Sequence, residues 1–186
     1  VCKRPRHMMF NAGRSQIYVC CGDSNQIGMV DTASSKMTGQ ISVGDSPELF
    51  DLSPDGKTAY VTVEDDSVMG AYNVETKAKL FDVKTGGEPE GILVTPDGKY
   101  AYVTSEVANA VHFIDIVQRK IIKNIRVGKR PRRFVLAAGG KELWVTNELG
   151  ASVSIVSTDD QSVKQTLEFK IAGLRAADIT PVGMAL

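Results

Sequence analysis

The stretch Glu88-Pro-Glu-Gly-Ile-Leu-Val-Thr-Pro-Asp-Gly-Lys-Tyr-Ala-Tyr-Val-Thr-Ser105 decides the fold, because the chain repeats it. Ser46-Pro-Glu-Leu-Phe-Asp-Leu-Ser-Pro-Asp-Gly-Lys-Thr-Ala-Tyr-Val-Thr-Val63 is a second copy, and Arg130-Pro-Arg-Arg-Phe-Val-Leu-Ala-Ala-Gly-Gly-Lys-Glu-Leu-Trp-Val-Thr-Asn147 a third. Pro5, Pro47, Pro89 and Pro131 are spaced by 42 residues, and Pro181 follows after 50. The two remaining prolines, Pro54 and Pro96, share one slot of the unit. A repeat in the low forties has the length of one four-stranded propeller blade.

Each unit reads as four strands. A short apolar segment follows the periodic proline, which lacks the N–H a ladder needs and so can only begin a strand. A turn rich in Pro, Asp and Gly comes next. The second strands centre on Ile17–Val19, Ala59–Val61, Ala101–Val103 and Leu143–Val145. The third run Ile27–Val30, Met69–Tyr72, Val111–Ile114 and Val153–Val156, each closed by a short polar residue, Asp31, Asn73, Asp115 or Ser157, suited to bonding the backbone of the next turn. The fourth are weaker in pattern: Lys36–Val43, Ala78–Val83, Ile121–Val127 and Val163–Phe169. No stretch carries a 3.6-residue period, and strands apolar on both faces suit sheets sandwiched between neighbours. The expected architecture is all-β, a β-propeller of four complete four-stranded blades plus the start of a fifth, within a seven-bladed ring. The repeats fall at 1–42, 43–84, 85–126 and 127–176, with an insertion near 169–180 and the next repeat opening at 177–186. Val1 lies in mid-pattern, which suggests a piece of a longer protein with two blade faces free to self-associate.

Composition narrows the functions. Lys and Arg number 22, as do Asp and Glu, so no global field draws the chain to nucleic acid or an anionic surface. No apolar run is long enough to span a bilayer. Three cysteines, Cys2, Cys20 and Cys21, suggest neither a disulfide framework nor a zinc site, and Cys20 and Cys21 read as small buried strand residues. No nucleophile, phosphate-loop or metal-ligand motif occurs, so neither catalytic nor metal-binding residues are assigned. The recurring Tyr18, Tyr60, Tyr102 and Trp144 read as core packing, and His112 as packed or superficial.

The informative positions flank the periodic prolines, in what should be loops at one mouth of the channel. Arg4, Arg6 and His7 make the first unit basic there, and Arg130, Arg132 and Arg133 the fourth. Glu48 makes the second acidic, and Glu88 and Glu90 the third. Two readings stand: a mouth that receives a partner or an anion, or neighbouring charges that neutralise one another.

Tyr102-Val-Thr104 and Trp144-Val-Thr-Asn147 resemble the YVTN family of β-propeller repeats over the whole chain. Arg4-Pro-Arg6, Glu88-Pro-Glu-Gly91, His112-Phe-Ile-Asp115, Arg130-Pro-Arg132 and the insertion ending in Ile179-Thr-Pro-Val-Gly183 are similar to the PQQ-dependent catabolism-associated propellers. That resemblance implies an exported, periplasmic, non-catalytic accessory module, partnered by a quinoprotein alcohol dehydrogenase or a c-type cytochrome. No cofactor is predicted from the residues. A haem- or PQQ-binding or lactonase-like catalytic propeller is the alternative from another class, and a surface-layer or cell-surface interaction protein a third.

Overall fold

The computed structural model describes residues 2–185; Val1 and Leu186, the ends of the first and last expected repeats, lie outside the described residues. Four antiparallel sheets follow one another along the chain. Blade 1 comprises β1 (Pro5–Phe10), β2 (Gln16–Cys21), β3 (Gln26–Asp31) and β4 (Met37–Ser42). Blade 2 comprises β5 (Pro47–Leu52), β6 (Thr58–Val63), β7 (Val68–Asn73) and β8 (Lys79–Lys84). Blade 3 holds β9 (Pro89–Val94), β10 (Tyr100–Ser105), β11 (Ala110–Asp115) and β12 (Lys120–Arg126). Blade 4 holds β13 (Pro131–Ala137), β14 (Glu142–Asn147), β15 (Ser152–Ser157) and β16 (Ser162–Glu168). The protein is therefore all-β, built from propeller blades. No helix is long and apolar enough to cross a membrane.

Burial explains why the outer strands were hardest to read. The second and third strands of blades 2 and 3 are almost wholly buried, whereas β4, β8, β12 and β16 are mostly exposed. The core lies between sheets, in three clusters. Tyr18, Ile27, Phe50 and Val61 join blades 1 and 2; Tyr60, Met69, Val94 and Val103 join blades 2 and 3; Tyr102, Phe113, Leu143 and Val145 join blades 3 and 4. Blades 2 and 3 thus bury both faces against neighbours, and blades 1 and 4 one face each, as stacked repeats do. Asp31, Asn73 and Asp115 each accept the N–H three residues on at 2.7 Å, and Ser157 does so at 3.1 Å.

The periodic prolines begin the innermost strands, as expected, so the charged residues after them lie within strands and not in the loops assigned to them. After each proline the register slips. The resulting bulge leaves one N–H without a ladder partner and turns the residue after proline aside from the pleat. The threonine of the Tyr-Val-Thr motif repairs this. Thr62, Thr104 and Thr146 take the stranded N–H of Leu49, Gly91 and Arg133 at 3.0, 2.7 and 3.0 Å. Each hydroxyl then donates onward to the following unit: Thr62 to the Glu90 carbonyl at 2.7 Å, Thr104 to that of Arg132 at 3.1 Å, Thr146 to that of Val182 at 2.8 Å. One side chain closes the bulge and staples two units. Gly91 belongs to this arrangement, since a Cβ there would overlap the Arg132 carbonyl. In blade 1 the threonine is replaced by buried Cys20, whose thiol is a weak donor. Pro181–Ala185 contains no strand, because no neighbouring strand pairs with it among the described residues, yet Val182 takes the contact that Arg132 and Glu90 take before it.

One expectation is corrected. Cys2 and Cys21 form a disulfide with Cα atoms 5.8 Å apart, while Cys20 is free. Repeat alignment explains the pairing. Cys2 falls where the other units carry Gly44, Gly86 and Gly128, each packed so tightly on Val63, Ser105 or Asn147 that a Cβ would overlap that side chain. Blade 1 replaces this contact with a covalent bond.

Two measurements check these links. Thr104→Val strands the Gly91 N–H and the Arg132 carbonyl and should cost about 1–3 kcal/mol in urea unfolding, while Cys20→Thr should raise stability. Reducing the disulfide, which closes a loop of 19 residues, should lower the unfolding free energy by about 3 kcal/mol; an unmoved transition would mean that the bond is not formed.

Candidate functional site at the innermost strands

The bulge decides where the charged residues point. Arg6, Glu48, Glu90 and Arg132 occupy one slot of the unit, directly after the proline, and the structure brings all four together. Glu48 and Glu90 are buried, at 0% and 2% exposure, so they are not solvated mouth residues. Glu48 is held by Arg4 at 3.0 Å and by Arg6, and Arg6 also reaches Glu90 at 3.7 Å. Arg132 and Arg133 approach Glu90 at 3.3 Å each. Arg132 also pairs with Glu106, and Arg130 does so at 2.5 Å. Glu148 completes the chain, 3.3 Å from Arg130 and 3.5 Å from Arg132. The reading in which neighbouring charges neutralise one another therefore describes these residues. Glu88 alone of the expected set is exposed with no ion-pair partner among the described residues.

Sequence reasoning missed Glu64, Glu106 and Glu148. The signal was present: each follows the second strand at one 42-residue spacing, where blade 1 has Gly22. The residues before the prolines, Arg4, Ser46, Glu88 and Arg130, share a left-handed backbone with φ between 50° and 56°. This conformation is costly outside glycine. It aims each carbonyl at the amide of residue 22, 64, 106 or 148, at 2.9 to 3.1 Å. In blades 1 and 4 it also sets the Arg4 and Arg130 guanidinium groups among the carboxylates.

Beside this network lies a cavity of ≈ 380 Å³ lined by His7, Leu49, Phe50, Asp51, Arg133 and Gly183, among others. His7 and Arg133 share the second bulge slot, which in blades 2 and 3 holds Leu49 and Gly91. His7 packs edge-on against Phe50, with ring centroids 5.3 Å apart, and is lowered to about 4 by burial and then by Arg133. Its imidazole is neutral at pH 7. Arg133 is also lowered by burial, which Glu90 opposes, and its Nη1 is buried without a hydrogen-bond partner. Asp51 accepts the N–H groups of Val94 and Leu52, both at 2.8 Å, and burial raises its carboxyl. The cavity is thus lined by a neutral imidazole and by an arginine whose buried Nη1 has no hydrogen-bond partner. Among the described residues, no three His, Cys, Asp or Glu side chains gather as a metal would need. His112 lies elsewhere, buried in β11, accepting the Gly86 N–H at 3.0 Å and bonding Asn124 at 2.6 Å.

A family model described as lactonase, 7-bladed beta-propeller, matches residues 78–175. Among solved structures the chain is similar to Kuenenia stuttgartiensis hydrazine synthase, with a TM-score of 0.82 and 25% identity over 88% of this chain and 49% of that one. The chain spans about half the length of that relative. The architecture is shared with 1384 solved chains, so likeness of shape does not select one activity. No curated protein matches the chain.

The buried carboxylates make a pH prediction. Glu48 is pushed up to about 8 by burial, then by neighbouring Glu90, against the pull of Arg6. A carboxyl raised on folding binds more protons folded than unfolded, so its contribution is lost as pH rises from about 4.5 towards 8. His7 works in the opposite sense and only below about 6.5. Stability should therefore fall between pH 6.5 and 8, and Glu48→Gln should flatten that fall in thermal melts; a variant with the wild-type slope would contradict the assignment.

Proposed function

The chain belongs to the lactonase family of seven-bladed β-propellers, and from that premise we propose that its channel-side cavity binds a small lactone or the matching hydroxy acid. The observation that carries this reading is Arg133, a buried guanidinium with one donor unused, beside the neutral imidazole of His7. Arg133 spends its Nη2 on Glu90 at 3.3 Å, as neighbouring arginines do on their glutamates, but its Nη1 has no hydrogen-bond partner. A guanidinium is suited to a carbonyl that gains negative charge, or to a carboxylate.

In lactone hydrolysis His7 takes a proton from water as the water oxygen adds to the carbonyl, and Arg133 holds the oxyanion. As the acyl–oxygen bond breaks, the proton passes to the ring oxygen, so lactone and water become one hydroxy acid. Because His7 is basic only down to about 4, binding and turnover should not decline between pH 8 and 5.

A second reading, an accessory module of a quinoprotein alcohol-oxidation system with a cytochrome c partner, is supported by the order of motifs along the sequence. A groove of ≈ 350 Å³ at Glu88, Val107, Lys129 and Leu149 also supports it, with Val107 and Leu149 64% and 50% exposed. The Cys2–Cys21 bond fits an oxidising compartment such as the periplasm. Co-purification of a dehydrogenase or cytochrome that is lost in Val107→Asp would favour this reading.

The direct test uses δ-valerolactone hydrolysis followed by pH-stat, and calorimetric binding of 5-hydroxypentanoate. Arg133→Met should weaken binding at least about tenfold, and His7→Phe should slow hydrolysis while retaining binding. Neither binding nor hydrolysis by the wild type would end the lactone reading.

A further inference from the structure

The aromatic residue at the centre of the second strand has its polar atom hydrogen-bonded in blades 1 and 4. Tyr18 donates to Gln16 at 3.4 Å and Trp144 donates to Glu142 at 3.1 Å. Each partner lies two residues earlier, on the same face of the strand. In blade 3 that position is Tyr100, and the Tyr102 hydroxyl has no protein partner among the described residues, although Tyr102 is only 3% exposed.

A second departure lies across the same blade boundary. Between blades 2 and 3, Gly98 of the Pro-Asp-Gly turn packs on Pro54, close enough that a Cβ would stand 3.1 Å from its ring. The turn of blade 4 reads Ala137-Ala-Gly-Gly-Lys141 instead, with φ of 50°, 64° and 90° at Ala138, Gly139 and Gly140. Thr158 ties it to its own blade by donating to the Gly140 carbonyl at 2.7 Å. Nothing lies within 4 Å of a Cβ at Gly139, and the contact with Pro96 that would match Gly98 on Pro54 is not made, as none is made by Gly56 between blades 1 and 2.

A cleft of ≈ 510 Å³ opens there, outside the channel, lined by Pro96, Asp97, Tyr100, Tyr102, Phe113 and Asp159, among others. Its floor is aromatic: Tyr102 and Phe113 pack edge to face with centroids 4.3 Å apart, and Tyr100 lies 6.2 Å from Phe113. Its rim is acidic. Asp97 accepts bonds from its own turn and lies 3.7 Å from the Lys99 ammonium, so the uncompensated carboxylate is Asp159, which is exposed with no hydrogen bond or ion pair among the described residues. Burial, then Asp97, Tyr100 and Asp159, push the Tyr102 phenol up to about 12, in keeping with negative surroundings.

The geometry points to a second binding site in this cleft, for a small organic ammonium ion with an apolar ring: the ring packs on the half-buried Tyr100, and the ammonium donates to Tyr102 and Asp159. Aromatic faces and carboxylates both favour a cation, and the volume suits a small molecule.

The probe is 2-phenylethylammonium, with 2-phenylethanol as the neutral match, titrated into the full chain by calorimetry. The cation should bind at least about tenfold more tightly than the alcohol. Asp159→Asn, a change at an exposed residue without protein partners among the described residues, should weaken binding several-fold. Equal binding of cation and alcohol, no binding, or wild-type binding by Asp159→Asn would overturn the proposal. Binding of 5-hydroxypentanoate in the channel should be untouched by Asp159→Asn, so the two sites fail or stand separately.

Discussion

The hydroxyl of one threonine in each of blades 2, 3 and 4 governs the interior of this protein. The bulge that follows each periodic proline would leave a buried amide unpaired, and burial of an unpaired amide costs more than most contacts return. Thr62, Thr104 and Thr146 supply the missing acceptor and pass their own proton to a carbonyl of the next unit. With the bulge held open, the residue after the proline turns towards its counterparts in the other blades. The arginine–glutamate network is a consequence, since Arg6, Glu48, Glu90 and Arg132 meet only because the same bulge recurs at the same place in every unit.

That network has a structural role. Glu48 and Glu90 are too deeply buried to greet a partner in solvent, and their guanidinium neighbours lower the cost of ionising them, though for Glu48 burial and Glu90 still outweigh the pull of Arg6. Free recognition chemistry lies instead where the repeat breaks its own rule. His7 and Arg133 depart from Leu49 and Gly91 at the second bulge slot, Tyr100 departs from the hydrogen-bonding residue at its position, and Ala138-Gly-Gly140 departs from Pro-Asp-Gly. Each departure coincides with a cavity.

The fold was legible because its determinants are periodic: prolines at one spacing, alternating strand and turn chemistry, and short polar residues closing every third strand. The site was only half legible. Charge type could be read at Arg6, Glu48, Glu90 and Arg132, but a loop assignment put them in solvent, because a bulge within a strand leaves no compositional mark. Their partners Glu106 and Glu148 were overlooked for the opposite reason, sitting in an unremarkable turn whose meaning depends on the next blade. The Cys2–Cys21 bond shows the same limit, since its spacing fits no motif and becomes intelligible only when Cys2 is laid over Gly44, Gly86 and Gly128.

The central claim is that the bulge buries a neutral imidazole beside an unused guanidinium donor in the channel. Nuclear magnetic resonance titration of the His7 ring tests it most directly, with and without 5-hydroxypentanoate. The account predicts a midpoint near 4 in the free protein, rising when the carboxylate offsets the charge of Arg133. A midpoint near the ordinary histidine value of about 6.5, unmoved by the ligand, would contradict it.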